Sequence, residues 1–527
     1  MRMKRRWSRK TCLSLVMAAA AGTAVLCGVT PAVAAQPGPR VAASPHVAAS
    51  SPPAAANPSV FGPVTGGHGI VQLEGTSFPL SDVGYEQSEY FLSGTAKSYV
   101  PVKALSSNGE WHVKTASTAR YTTRIVVDRP TNPAKFNGTV IVEWLNVTAG
   151  FDTAADWTYG HDELVRDGFA WVGVSAQAAG VAALKSADPV RYAALSDPGD
   201  SYSYDIFSQA GQAIRDESAK ILGGLKPRAV LADGESQSAF RLTTYIDAVQ
   251  PLVHEYNGFL VHSRAGSGAP LSQSPQANVL DPKVVRFRTD LGVPVLDVET
   301  ETDLFFPIAT PAEGAGPYLA AQQPDSSRFR LWEIAGTAHA DAYDTGFGAG
   351  DTGNGAADGE EFYAMEKPPT GIPPGLNFIT CNEPINAGDE HYVIDAAEYA
   401  LNRWVRTGIP PTHATRLKVN AKATGYVRDG NGNVEGGIRT PSVQVPIAAL
   451  SGLGNSAPGT GLAALACDLA GTTAPFSAAK LAKLYPTHAQ FVANWAVATV
   501  TDEFAGFIRP ADARYLIEAA VNSNIGG

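Results

Sequence analysis

The stretch from Arg228 to Phe240, R-A-V-L-A-D-G-E-S-Q-S-A-F, constrains the fold more than any other part of the chain. A short apolar run, Ala229 to Ala232, stops at Gly234, and a serine follows two residues later. Ala239, Phe240, Leu242, Tyr245 and Ile246 then recur at helical spacing. The pattern predicts strand, sharp turn and helix, with Ser236 at the apex. A serine hydroxyl is a weak nucleophile unless a base takes its proton and N–H groups receive the developing oxyanion. An elbow of this kind lifts Oγ clear of the sheet beside a helix N-terminus, and it needs small neighbours so that the helix packs close. Gly234 and Ser238 are those neighbours, Ser238 standing where the G-x-S-x-G pattern has its last glycine. Gly-x-Ser triplets are frequent by chance, so the motif gains weight only from partners elsewhere.

The rest of the chain supplies a frame for it. Tyr121 to Asp128 is β-branched and strand-like, and Gly138 to Asn146 is a near-continuous apolar run, as in a strand buried on both faces. Phe169–Ser175, Gly258–His262, Val293–Glu299 and Phe329–Ala335 read as further strands. Helical patterns are expected over 161–168, 204–222, 392–405, 478–484 and 511–521. Strands separated by helices or long crossovers predict an α/β fold, a mostly parallel central sheet flanked by helices. Asp344 to Pro374, rich in Gly, Asp and Pro, reads as a long loop or lid. In Tyr426–Val434 the D-G-N-G run predicts a hairpin turn. It is not read as a calcium loop, because Thr440 stands where that loop has its glutamate.

In an open parallel sheet a base and its orienting acid belong on loops at the carboxyl ends of later strands. Two loops qualify: Thr300-Glu301-Thr302-Asp303 after one strand, and Gly336-Thr337-Ala338-His339-Ala340-Asp341 after the next. Singly, these would be read as a solvated acidic loop and a surface histidine. Serine, acid and histidine following three strands in that order point to nucleophilic catalysis. The elbow G-E-S-Q-S, the segment V-P-V-L-D-V-E-T-E-T-D and the segment W-E-I-A-G-T-A-H-A-D together resemble α/β-hydrolases. More narrowly they resemble the "α/β hydrolase domain" family of exported bacterial proteins, as do Glu89–Ala96, Val142–Val147, Val172–Gln177 and Gly436–Pro441.

The resemblance covers roughly residues 70–525. It implies that Ser236 is the nucleophile, His339 the base and Asp303 the acid, with Glu301 and Glu299 as competing acids. It also implies an oxyanion hole made by the N–H of Gln237 and by one from the loop at Asn146 or Val147. The activity implied is that of a serine esterase, a carboxylic ester hydrolase working on a small-molecule ester without cofactor or metal. An acyltransferase, amidase or lactonase would use the same triad, and a non-catalytic binding protein could share the scaffold, so these readings stay open at this point. His262 and Arg264 end a strand on the same rim; they suggest a site for a substrate carboxylate, although a structural pairing of Arg264 is the preferred reading. Trp157, Phe305 and Phe306 flank the site loops and are candidates to line an apolar acyl pocket, although aromatics beside a core are more often plain core.

Six basic residues, a mostly apolar run from Cys12 to Val29 and Ala32-Val33-Ala34 predict a secretory signal peptide over residues 1–35. An Ala/Pro/Ser linker is expected over 36–65, followed by a single catalytic domain over 66–527 whose C-terminal extension begins near residue 411. Without residues 1–35 the chain keeps 34 basic against 50 acidic residues, a balance of −16, which disfavours nucleic acid and anionic membrane surfaces as partners. Cleavage would leave no stable membrane anchor, and nothing in the residues signals an oligomeric state. Cys381 and Cys467 would remain, and an oxidising compartment would favour a disulfide between them.

Overall fold

The computed structural model describes residues 55–306, 316–372 and 379–527, so the expected signal peptide and most of the expected linker lie outside the described residues. Among the described residues, nine strands form the main sheet: β1 (Ser59–Phe61), β2 (Tyr85–Pro101), β3 (Val113–Pro130), β4 (Thr139–Trp144), β5 (Ala170–Val174), β6 (Ala229–Asp233), β7 (Phe259–His262), β8 (Val295–Glu299) and β9 (Phe329–Glu333). Their order is β1-β2-β3-β5-β4-β6-β7-β8-β9. The first three strands and the β3–β5 junction are antiparallel; from β5 to β9 all pairs are parallel. β1 corrects the expectation of a structureless linker up to residue 65. Its three residues pair with β2 through the main chain, which needs no large side chains.

Every residue of β4 to β8 is buried, as apolar runs without alternation require. Val140, Val142 and Trp144 face one core with Tyr204 and Phe207, whereas Ile141 and Leu145 face the other with Trp157 and Trp171. The helices that matter here are α1 (Ala155–Arg166), α2 (Ser203–Asp216), α3 (Gln237–Thr244), α4 (Glu301–Phe305), α5 (Ala356–Glu366), α6 (Glu390–Thr407), α7 (Leu462–Leu469), α8 (His488–Ala505) and α9 (Pro510–Asn522).

Helix α1 begins six residues before the apolar pattern suggests, because its cap is remote. The Glu143 carboxylate on β4 accepts the N–H groups of Asp156 at 3.1 Å and Trp157 at 3.0 Å. Helix α5 forms inside the stretch expected to be a long loop or lid. Its Phe362 packs against Trp495 of α8, a contact that outweighs the glycine content. The Asp429 turn forms as expected, with its carboxylate accepting the N–H groups of Asn431 and Asn433. The C-terminal region joins the sheet directly, since Ile438 pairs with Ile334 just beyond β9. Cys381 and Cys467 form a disulfide, as expected. Among the described residues no helix is long and apolar enough to cross a membrane.

Candidate active site

Ser236 sits between β6 and α3 with φ 56° and ψ −119°, a conformation that non-glycine residues avoid. The turn is held in it by the neighbouring strand. Ser236 N–H donates to the His262 carbonyl at 2.9 Å, and His262 N–H donates to that of Gly234 at 3.1 Å. A Cβ at Gly234 would lie 3.0 Å from both Ser238 Cβ and Leu242 Cδ1, which is why a side chain is absent where helix meets turn. The serine in place of the usual last glycine fits, because Ser238 is buried against this turn without displacing it.

His339 follows β9 and turns its ring between the two other groups. Nε2 lies 2.8 Å from Ser236 Oγ, and Nδ1 lies 2.8 Å from Asp303 Oδ1. Asp303 is the third residue of α4 and closes a capping box with Thr300. Its Oδ2 accepts the Thr300 N–H at 2.6 Å, the Thr300 hydroxyl at 2.8 Å and the Ser263 hydroxyl at 2.9 Å. Ser263 is itself at φ 54°, so two strained residues flank the same site. Neither Ser263 nor Thr300 was singled out by the sequence reading. The T-x-x-D spacing of a capping box was the available signal.

Glu301 does not face the histidine, which corrects its place as a competing acid. Glu301 and Asp303 stand two apart on α4, and on a helix such residues point to different faces. Glu301 instead accepts the N–H groups of Gly336 at 2.7 Å and Gly452 at 3.1 Å, close to Arg428. Glu299 accepts the Arg264 N–H. Arg264 is structural: Nε lies 3.4 Å from Asp297, and the guanidinium stacks between Phe287 and Tyr318. His262 is closed off from any substrate, with Nδ1 2.9 Å from Asp156 and Nε2 2.9 Å from Glu390. Burial would lower its pKa, but these two carboxylates raise it well above the ordinary value.

The residue before Ser236 is an unforeseen member of the site. Glu235 is buried, its Oε1 3.1 Å from His339 Nε2 and its Oε2 accepting the Asn146 side-chain amide at 3.1 Å. Burial pushes the Glu235 carboxyl up to about 8. For His339, burial lowers the imidazole, but Glu235 and then Asp303 outweigh it and bring the group to about 9. The Asn146 backbone N–H donates to the Thr153 carbonyl at 3.0 Å, which corrects its candidacy as an oxyanion donor. The N–H of Val147 is the candidate left on that loop. Gln237 opens α3, where the first N–H groups have no partner within the helix.

The profile of the alpha/beta hydrolase domain family matches residues 60–518. The chain belongs to the alpha/beta hydrolase family. No curated protein sequence matches this hydrolase. Solved structures similar to it include an esterase from the fungus Rhizomucor miehei, at 16% identity over 33% of this chain and 45% of that one, TM-score 0.19. A serine hydrolase without a lid from Xanthomonas campestris is 13% identical over 40% of this chain and 78% of that one, TM-score 0.24. Est1E from Butyrivibrio proteoclasticus, solved with ferulic acid, is 12% identical over 41% and 86%, TM-score 0.25. The hydrolase thus spans under half the length of the Rhizomucor esterase.

A cavity of about 330 Å³ opens onto Ser236 and His339. Its lining includes the carboxyl groups of Glu74, Glu235 and Asp344, together with apolar Ile379 and Leu462, Leu465, Ala466 and Leu469 of α7. The three aromatic candidates for this lining lie elsewhere, as the core reading has it for Trp157. Trp157 is buried against Trp171, and Phe305 packs edge-on to Tyr426. Phe306 comes nearest, packed against a small cluster that contains Phe240 and Leu469. Away from the cavity, Asp162, Asp395 and Asp512 converge to within 4.8 Å. Arg166 lies among them at 3.1, 3.3 and 2.9 Å and supplies their counter-charge.

Proposed function

We propose that this protein is an exported serine esterase that hydrolyses small carboxylic esters through an acyl-enzyme. The observation that carries the reading is the unbroken chain Ser236 Oγ, His339 and Asp303, with both contacts at 2.8 Å, opening on a cavity. Ser236 attacks the ester carbonyl while His339 Nε2 takes its proton. Asp303 fixes the tautomer that leaves Nε2 free and stabilises the imidazolium. The N–H groups of Gln237 and Val147 hold the oxyanion. The imidazolium then protonates the departing alcohol, and water, activated by the same histidine, releases the acid. Cavity size supports a small substrate, since about 330 Å³ lies at the lower end of ligand sites. Export is supported by the basic, apolar and A-x-A order of residues 1–35 and by the Cys381–Cys467 disulfide.

The experiment is hydrolysis of 4-nitrophenyl esters by the purified protein, followed with pH. The base works only when neutral, so kcat/KM rises with pH along a limb set by the His339 pKa, at about 9. Glu235→Gln removes the carboxylate that raises it most, and the limb moves to lower pH. A limb in the ordinary imidazole range for both proteins would contradict the assignment of His339 as the base under the influence of Glu235.

A further inference from the structure

Helix α7 presents Leu462, Leu465, Ala466 and Leu469 to the cavity, positions i, i+3, i+4 and i+7, and therefore one helical face. Its C-terminal end is fixed to the loop that carries the base: the Ala340 N–H, next to His339, donates to the Leu469 carbonyl at 3.2 Å. The following turn is held as well, since the Asn386 N–H donates to the Ala470 carbonyl at 2.9 Å. Cys467 lies off the cavity face and is buried, bonded to Cys381. Two residues before Cys381, Ile379 lines the cavity. The disulfide therefore ties together two cavity-lining segments that the chain separates by more than eighty residues. The same cavity is also lined by the carboxyl groups of Glu74, Glu235 and Asp344, against which an alkyl chain would leave polar groups desolvated.

We propose that α7, held by the Cys381–Cys467 disulfide, is the specificity wall of the site. Its leucine face selects esters with an unbranched alkyl segment of butyl to octyl length, and Leu465 at its middle sets the limit. The inference rests on the esterase reading, and hydrolysis of 4-nitrophenyl acetate by the parent protein tests that reading separately. Two substrate series test the wall: 4-nitrophenyl alkanoates, which vary the acyl chain, and alkyl acetates, which vary the alcohol. In whichever series places its chain on α7, Leu465→Trp moves the preferred length shorter and Leu465→Ala moves it longer. At the old optimum each variant loses about tenfold in kcat/KM, the scale of one or two methylenes in an apolar pocket.

Opposite shifts from substitutions at one half-buried position are not a signature of general loosening. In the double variant Cys381→Ser/Cys467→Ser, the ratio of octyl-length to acetyl rates falls, mainly through KM. If the protein proves to have no turnover, calorimetric titration of 1-octanol into Ser236→Ala protein reads the same wall, with binding weakened in Ser236→Ala/Leu465→Trp. Unchanged length profiles in both series, or octanol binding indifferent to Leu465→Trp, would overturn the proposal.

Discussion

Ser236→Ala lowers kcat for a 4-nitrophenyl ester by about 10⁴-fold to 10⁶-fold, the loss seen when a nucleophile that acts as a unit with its base is removed. Alanine keeps the Cβ and therefore the strained backbone at φ 56°, so no repacking follows. Melting temperature should stay within about 2 °C, which separates lost chemistry from lost fold. Substrate binding, read as Kd, should change little. The oxyanion donors and the cavity walls lie on other atoms, and the residual rate above water measures what they contribute without the nucleophile.

The second large effect is expected at Asp303. Its Oδ2 accepts three donors, from the Thr300 N–H, the Thr300 hydroxyl and the Ser263 hydroxyl. In Asp303→Asn the amide nitrogen cannot occupy that corner, because at least the main-chain N–H has no acceptor to offer in return. The amide oxygen takes the corner and the NH₂ group turns to His339 Nδ1. Nδ1 must then accept, the proton moves to Nε2, and the ring can no longer take the proton of Ser236. A loss of about 10⁴-fold in kcat is expected near neutral pH, with the geometry otherwise intact. Kinetics of Asp303→Asn beside Asp303→Ala check this: a loss below about tenfold would place the orienting acid elsewhere.

Much of this geometry was legible in the residues because its signals are local. The elbow can be read from Ala229 to Phe240, and the rim positions of His339 and Asp303 follow from where two apolar runs stop. What was not legible depends on contacts across the fold. Glu301 competes with Asp303 only if 300–303 is treated as a loop; once α4 starts at Glu301, the two carboxylates face apart. His262 looks free at the end of its strand, yet its partners Asp156 and Glu390 lie 106 and 128 residues away in sequence. Asn146 sits where a donor is expected, but its N–H is consumed by a bridge to Thr153 that no motif announces. The apolar wall of the cavity comes from α7, more than a hundred residues after the base, and the aromatic residues nearest in sequence pack into core instead.

Glu235 stands within G-E-S-Q-S, but an acid beside Ser236 carries no signal in the sequence until its distance to His339 is known. At 3.1 Å from His339 Nε2 it stands close enough to shift the titration of that ring, which is why the pH profile carries more information here than a rate at one pH.

The most direct measurement is covalent capture of the nucleophile. The folded protein, treated with a fluorophosphonate and digested, is read by peptide mass spectrometry. One phosphonyl adduct is expected, on Ser236, formed quickly in the parent protein, slowly in Asp303→Asn and not at all in Ser236→Ala. An adduct on another residue, or no adduct on folded protein, would contradict that expectation.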